Sequence, residues 1–176
     1  KVHHAEGNVA THTQMVIDEL LNNSIYQNLD EQAKEILWAA ALLHDVEKRS
    51  TSEDLADGII NANGHARRGE YTARTVLYKD VPTPFSIREQ ITSLVRFHGL
   101  PLWLMEKPAP AKKVHEVSLR LNTKHLKLLA EADARGRICE DLGSLLDSLE
   151  LFEMFCKEQG CWEQAKDFAT SNARFR

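Results

Sequence analysis

Polar side chains of the kinds that bind metal ions recur at the ends of apolar helical segments in this sequence. The most informative is the dipeptide His44-Asp45, which follows a run of alanines and leucines within residues 40–48. A histidine and an aspartate in such a position cost free energy unless something pairs with them. The other residues of this kind, in chain order, are His12, His65, His98 and Asp133. Together they predict a shared partner, and a divalent metal ion is the partner that imidazole and carboxylate groups have in common.

Helices are expected nearly throughout the chain, since the apolar residues recur with helical spacing. They are predicted near residues 9–23, 31–47, 52–60, 65–78, 86–98, 112–121, 123–134 and 143–158. Asp30 and Ser52 are expected to cap the second and third helices, and Ser86-Ile-Arg-Glu89 reads as a capping box for the fifth. Residues 99–103 are expected to form a tight loop. No segment alternates with a period of two over a useful length, so the predicted fold class is all-α, a compact helical bundle.

Composition restricts the class of protein. The chain has 176 residues, 43% of them hydrophobic and 27% charged, which predicts a single soluble domain over residues 1–176. No apolar run approaches the roughly 20 residues that a membrane span needs, so no membrane partner is expected. Three cysteines without metal-type spacing indicate a reducing cytoplasm. The net charge of -4 argues against a general nucleic-acid coat protein, but it leaves room for a local basic pocket.

The order of the metal-type residues has a counterpart in a known family. His12, His44-Asp45 and Asp133 stand in the order H…HD…D, which resembles the HD superfamily of metal-dependent phosphohydrolases. The resemblance implies an all-helical HD-domain bundle in which these residues bind one divalent metal between the core helices. It also implies that His65 and His98 hold a second metal, as the corresponding histidines do in many members.

Further motifs extend the resemblance over roughly residues 3–137. His4-Ala-Glu-Gly-Asn-Val, Thr11-His12-Thr13, Gly64-His65-Ala66 and residues 132–136 are similar to the HD domain of bacterial tRNA nucleotidyltransferases. By the same resemblance, His4, Glu6 and Asn8 are expected to brace the site from a second shell of contacts.

A closer resemblance is to the N-terminal module of bacterial HD–polynucleotide kinase RNA-repair proteins. It rests on His98-Gly-Leu-Pro-Leu-Trp103, on residues 128–137 and on the tail near residues 151–156 with its Ala-Arg-Phe ending. No P-loop sequence occurs in this chain. We therefore expect the chain to be a fragment of a longer protein, with a polynucleotide kinase domain following Arg176.

The ligand types predict the metals and the reaction. Imidazole with carboxylate suits Mn, Co, Ni, Fe or Zn, whereas Mg and Ca prefer all-oxygen sites. One or two such ions are expected, and Asp45, beside His44, is placed to bridge two. Metal ions activate water near neutral pH and clamp a phosphoryl group between them. The expected enzyme is a phosphomonoesterase or cyclic phosphodiesterase, and the resemblance names its substrates as 2′,3′-cyclic, 2′- or 3′-phosphates at RNA ends or on nucleotides.

Positive and aromatic side chains near the ligands are candidates to hold the substrate. Lys48 lies one turn after His44 and matches a lysine common in HD motifs, so it is predicted to be catalytic together with Asp45. The other candidates for substrate binding are Arg67, Arg68, Arg96 and Trp103. Plainer interpretations remain open: Asp133 pairs with Arg96 or Arg135, Lys48 is a solvated charge at a helix end, and Arg67 and Arg68 are surface charges.

Two other functions remain open from the sequence. One is a free-standing HD nucleotidase or (p)ppGpp-type hydrolase, although the acidic residues after His44-Asp45 match no such pattern. The other is a non-catalytic HD module that binds nucleotides or RNA. A degenerate set of ligands would favour that module, and here every ligand position is filled.

Overall fold

The computed structural model describes residues 8–51, 53–54, 60–61, 64–138 and 141–163, and they are almost entirely helical. The helices are α1 (Val9–Asn22), α2 (Ser24–Gln27), α3 (Glu31–Leu43), α4 (Lys48–Thr51), α5 (His65–Lys79), α6 (Phe85–Phe97), α7 (Leu100–Trp103), α8 (Pro110–Ser118), α9 (Thr123–Arg135) and α10 (Leu142–Glu158). A 3-10 turn spans Leu104–Glu106. The predicted all-α class is therefore confirmed. No helix in this part of the chain combines the length and apolarity needed to cross a membrane.

One apolar core holds the long helices together. Helix α6 packs against α3 and α5, while α9 packs against α1 and α10. Each of five helices buries a large side chain completely or nearly so in the same cluster: Leu20, Leu37, Leu94, Leu129 and Phe152. Burying a side chain of this size stabilises a fold by about 1.5–3 kcal/mol. The core therefore fixes the relative positions of α1, α3, α6 and α9.

Side-chain caps set the start of several helices. Asp30 caps α3 as predicted, because its carboxylate accepts a hydrogen bond from the Ala33 backbone N–H at 2.8 Å. Asn8 and Asn122 cap α1 and α9 in the same way. The remaining long helices rest on tertiary packing rather than on a cap.

Helix α3 ends at Leu43, four residues before the predicted end at residue 47. Residues 44–47 form turns, and the backbone N–H of Val46 bonds to the carbonyl of Leu43 three residues back. The His44 side chain also occupies a backbone carbonyl at the end of the helix, because its Nδ1 lies 2.7 Å from the Ala41 carbonyl oxygen. The turn carries Asp45 away from the helical course, and α4 begins at Lys48.

One predicted helix start and one predicted helix differ from the structure. Helix α6 begins at Phe85 after Pro84, with no side-chain cap, and Glu89 pairs with Arg74 and Arg88 instead of closing a capping box with Ser86. The expected helix at residues 52–60 is also absent from the residues described there. Glu53–Asp54 and Ile60–Asn61 pair as two short antiparallel strands, β1 and β2, while Ser52 and residues 55–59 lie outside the described residues.

The segment after His98 differs from its prediction as well. Leu100–Trp103 forms one helical turn rather than a loop, with a proline in its first turn. Proline is tolerated there because the first N–H groups of a helix have no partner within it.

Candidate metal centre

Six side chains from five parts of the chain meet in two groups of three. The first group is His12, His44 and Asp133, all buried. The second group is Asp45, His65 and His98, of which His65 is half-buried. In each group the possible ligand atoms lie within 4.8 Å of one another, so each group could hold a metal ion. These are the six positions that the sequence marked.

The first group brings together one residue from α1, one from α9 and one from the turn that follows α3. His12 Nε2 lies 3.0 Å from Asp133 Oδ1 and 3.4 Å from His44 Nε2. His44 Nε2 lies 3.9 Å from the same Asp133 oxygen. Three donor atoms therefore point at one small volume.

The second group joins the same turn to the start of α5 and the end of α6. His65 Nε2 and His98 Nε2 lie 3.4 Å apart. Asp45 Oδ1 lies 3.4 Å from His65 Nε2 and 3.9 Å from His98 Nε2. This group repeats the arrangement of the first, with two imidazoles and one carboxylate oxygen.

Asp45 faces both groups with different oxygens. Its Oδ1 belongs to the second group, while its Oδ2 lies 3.4 Å from His44 Nε2 and 3.7 Å from His12 Nε2. Oδ1 is the one buried side-chain nitrogen or oxygen among the described residues that lacks a hydrogen-bond partner. A buried carboxylate oxygen without a partner is costly, and a metal ion is a partner that would satisfy it.

Backbone carbonyls orient three of the histidines. In each ring, Nδ1 faces a carbonyl oxygen while Nε2 faces the cluster. The distances are 3.2 Å from His12 to Gly136, 2.7 Å from His44 to Ala41 and 2.8 Å from His98 to Val95. A ring that donates from Nδ1 keeps a lone pair on Nε2, which is the form that binds metal ions.

The short Nε2 contacts also fit a bound cation. When Nδ1 of His12 and Nδ1 of His44 both donate to carbonyls, two Nε2 lone pairs face each other at 3.4 Å. Lone pairs at that distance repel, and a cation that accepts both removes the repulsion. The donor set of imidazoles and carboxylates is typical of transition-metal sites.

Charge at the cluster keeps the carboxylates ionised. Burial would raise the pKa of Asp45, but the neighbouring histidines and Lys48 hold that pKa well below its usual range. Asp133 behaves in the same way, with Arg137 as its strongest stabilising neighbour. Both aspartates are therefore available as anionic ligands at neutral pH.

The buried histidines differ in their affinity for protons. Burial and the neighbouring His44 lower the pKa of His98 to about 4, so this ring is neutral at physiological pH. Burial also works against protonation of His44, but Asp45 and Asp133 outweigh it, so the His44 pKa lies above its usual value. A metal ion at this position would take the place of that proton between the same groups.

Arg137 was missed in the sequence as a partner of the cluster. Its Nε and Nη2 donate to Asp133 Oδ1 and Oδ2 at 3.2 and 2.5 Å. The plainer interpretation of the sequence paired Asp133 with Arg96 or Arg135, but those arginines bind Glu70 and Glu131. The spacing of four residues between Asp133 and Arg137, which lies just past the end of α9, was the signal that could have identified the pair.

Gly136 is a second residue whose role the sequence did not show. A Cβ at this position would lie 2.9 Å from atoms of Val16, so only glycine lets the end of α9 approach α1 this closely. Because the Gly136 carbonyl also faces His12, this contact sets the position of His12 relative to Asp133.

Lys48 lies at the edge of the cluster. Its Nζ is 2.7 Å from Asp45 Oδ2, and its side chain is 17% exposed. Lys48 was expected one helical turn after His44. Residues 44–47 form turns instead, and Lys48 contacts Asp45, three residues before it. The ammonium group thus stands between the cluster and solvent.

The structure places the other sequence candidates on exposed surfaces or in other contacts. Arg67 and Arg68 are exposed on the first turn of α5, and Trp103 is 42% exposed at the end of α7. Arg96 pairs with Glu70. The Asn8 side chain is exposed and caps α1, while His4 and Glu6 lie outside the described residues.

No protein-family model matches the chain, and no curated protein is significantly similar to it in sequence. The six clustered side chains are therefore the features of the molecule that point to its function.

Proposed function

We propose that this chain is an HD-type phosphohydrolase that uses two divalent transition-metal ions to remove 2′,3′-cyclic, 2′- or 3′-phosphates from RNA ends or nucleotides. The position of Asp45 is the observation that carries the proposal. One carboxylate with an oxygen in each of two imidazole groups is the arrangement expected of a bridging ligand. The order of the ligands along the chain, H…HD…D with two intervening histidines, supports the HD assignment.

The residues divide naturally between two ions. His12, His44, Asp133 and Asp45 Oδ2 would hold one, and Asp45 Oδ1, His65 and His98 would hold the other. Mn, Fe, Co, Ni and Zn all suit these donors. When bound, such ions supply Lewis-acid activation of water and neutralise charge on a phosphoryl group.

The protein itself contributes orientation and charge. The carbonyls of Gly136, Ala41 and Val95 fix three rings with Nε2 directed inward. Arg137 holds both oxygens of Asp133, so this carboxylate cannot rotate freely. Because these side chains are already oriented, little conformational entropy is lost when they bind a metal ion.

Lys48 is the proposed contact for the substrate phosphate. Its ammonium group is partly exposed and lies beside Asp45, where it can donate to a phosphoryl oxygen. Developing negative charge on the phosphoryl group would strengthen that interaction, so the lysine is expected to favour the transition state over the ground state.

The test is phosphate release from 2′,3′-cyclic AMP and from 2′- and 3′-AMP. Protein stripped with EDTA is compared with protein reloaded with Mn, Co, Ni, Fe, Zn or Mg. Asp45→Asn removes the bridging charge with little change in size, and Asp147→Asn is the matched control on the exposed face of α10. Circular dichroism verifies that both variants keep their helix content.

We expect turnover to require a transition metal, to be lost in Asp45→Asn and to persist in Asp147→Asn. Release from other nucleotides but from none of these ribose phosphates would redirect the proposal to a nucleotidase. Full turnover by the stripped enzyme, or by Asp45→Asn, would contradict it.

A further inference from the structure

The exposed face of α5 carries cations and aromatic rings. This helix begins at His65, a member of the second group, and runs away from it for 15 residues. Its exposed or half-exposed cationic and aromatic residues are Arg67, Arg68, Tyr71, Arg74, Tyr78 and Lys79. The single acidic residue of α5, Glu70, is buried and pairs with Arg74 at 3.1 Å. A strip of this composition is complementary to a polyanion with unpaired bases.

A groove lies at the far end of this strip, between α5 and α6. It has a volume of about 240 Å³ and is lined by Arg74, Thr75, Tyr78, Lys79 and Arg88. Three of the five lining residues are cations, of which Arg74 and Arg88 pair with Glu89 beside the groove. Within the described part of the chain, Lys79 forms no ion pair, so its charge is available to a ligand.

Arg88 is held in place by its neighbours and is only partly exposed. Its Nε donates to Glu89 at 3.2 Å, and its guanidinium lies 5.3 Å from the Tyr78 ring and 5.4 Å from the Phe85 ring. Its terminal nitrogens make no hydrogen bond to any described residue, and they are not among the buried unsatisfied atoms. The Arg88 side chain is 14% exposed, so these nitrogens keep limited contact with solvent, through which they could donate to a phosphate.

Two aromatic rings flank the Arg88 guanidinium with most of their surface in solvent. Tyr78 is 66% exposed and Phe85 is 69% exposed. Rings in this position offer flat faces to unpaired bases, and stacking of that kind tolerates any base sequence. Cations beside exposed aromatic rings are the usual composition of surfaces that bind single strands.

The groove is too far from the cluster to serve a mononucleotide. The 13 residues from His65 to Tyr78 rise roughly 20 Å along the helix. At about 3.4 Å per stacked nucleotide, a strand of roughly five or six nucleotides covers that distance. Only a polymer whose end lies at the cluster reaches both places.

Resting on the function proposed above, we propose that the outer face of α5 and the groove at Arg88 bind the single-stranded RNA that leads to the phosphorylated end. The substrate class of the site is then an RNA strand rather than a free nucleotide. Lys79 and Arg88 contact its phosphodiesters, while Tyr78 and Phe85 stack its bases.

The experiment measures binding of a fluorescent single-stranded RNA of about a dozen nucleotides by anisotropy, in EDTA and with a 3′-hydroxyl end. Neither metal nor terminal phosphate then contributes. Lys79→Glu alone and Lys79→Glu with Arg88→Gln are compared with Lys157→Glu on α10, which matches the charge change of the single variant. Lys79 is exposed, so the single variant keeps the fold even if Arg88→Gln does not.

We expect the double variant to bind at least about tenfold more weakly, and its salt dependence to fall by about 1.4 in log–log slope for two lost phosphate contacts. Lys157→Glu should bind like the unaltered protein. Equal binding by all variants, a dinucleotide bound as tightly as the longer strand, or tighter binding of duplex RNA would overturn the proposal.

The two proposals fail separately. Metal-dependent phosphate release from 2′,3′-cyclic AMP without groove-dependent RNA binding overturns the RNA track and leaves the phosphohydrolase. Groove-dependent RNA binding without phosphate release from any substrate supports the track and overturns the phosphohydrolase.

Discussion

His12 and His44 present Nε2 atoms to each other across 3.4 Å, although they lie 32 residues apart in the chain. Each ring turns its other nitrogen toward a backbone carbonyl. The rings are therefore oriented for a common partner between them, and neither ring can turn to relieve the contact without losing its carbonyl. A cation at this point would join α1 to the end of α3.

Metal binding should therefore stabilise the fold. A ligand present at 100 times its dissociation constant contributes about 2.7 kcal/mol, which raises the melting temperature of a domain of this size by roughly 5–10 °C. We expect such a shift when Mn or Zn is added to EDTA-treated protein in differential scanning fluorimetry. His12→Ala should lose most of it, whereas His115→Ala on α8 should keep it. An identical melting temperature with and without metal would count against the site.

Arg137 should act on metal affinity through Asp133. Arg137→Gln removes both donors from the carboxylate, and the loss of such outer contacts lowers metal affinity by about 10–100-fold. Arg137→Lys keeps the charge but loses the two-pronged guanidinium contact. Its metal affinity should lie between those of the unaltered protein and Arg137→Gln. Arg135→Gln is the matched control, because its partner is Glu131 and it makes no contact with Asp133. Isothermal titration with Mn measures the affinities, and unchanged binding in Arg137→Gln would refute the positioning role.

Lys48 should act on turnover rather than on metal binding. Lys48→Met keeps much of the side-chain volume and removes the donor, and loss of one charge-stabilising donor typically costs about 100-fold or more in kcat. Metal stoichiometry should stay the same, and Lys48→Arg should restore part of the rate. Steady-state kinetics and metal analysis of the same preparations separate the two effects. A variant with normal kcat would place Lys48 outside the reaction.

His125 should make stability depend on pH independently of the cluster. Burial lowers its pKa from the ordinary value of 6.5, so the native state keeps this ring neutral while the unfolded chain binds a proton more readily. Its contribution is therefore complete above pH 6.5 and declines as pH falls through 6.5 toward the lower native value.

The difference between the unaltered protein and His125→Gln isolates that contribution. Urea unfolding at about pH 7.5 and pH 5.5 should show a smaller loss of stability on acidification in the variant, with a slope difference of at most about 1.4 kcal/mol per pH unit. Parallel pH profiles for the two proteins would show that His125 is equally easy to protonate in both states.

The sequence predicted the helices and the membership of the cluster because both follow from short-range patterns. Apolar periodicity located α1, α5 and α9 within one or two residues, and Asp30 marked the start of α3. The six metal-type residues were visible because a polar group at the end of an apolar stripe needs a partner. Their meeting in two groups agrees with that argument.

The sequence pattern did not predict features that depend on competing side-chain and tertiary contacts. Helix α3 continues in apolar pattern past Leu43, but the His44 side chain bonds to the Ala41 carbonyl and the chain turns. Glu89 reads as half of a capping box, yet Arg74 from the neighbouring helix binds it more strongly than a local backbone N–H would. Competing partners brought by packing decided both cases.

The most direct test of the central claim is the number of metal ions bound per chain. Protein reconstituted with Mn or Co and freed of excess metal is analysed by mass spectrometry beside His65→Ala and Asp45→Asn. We expect two ions in the unaltered protein, one in His65→Ala and none held tightly in Asp45→Asn, with two anomalous scattering peaks beside Asp45 in crystals of the unaltered protein. Two ions in all three proteins, or no ion in the unaltered protein, would contradict it.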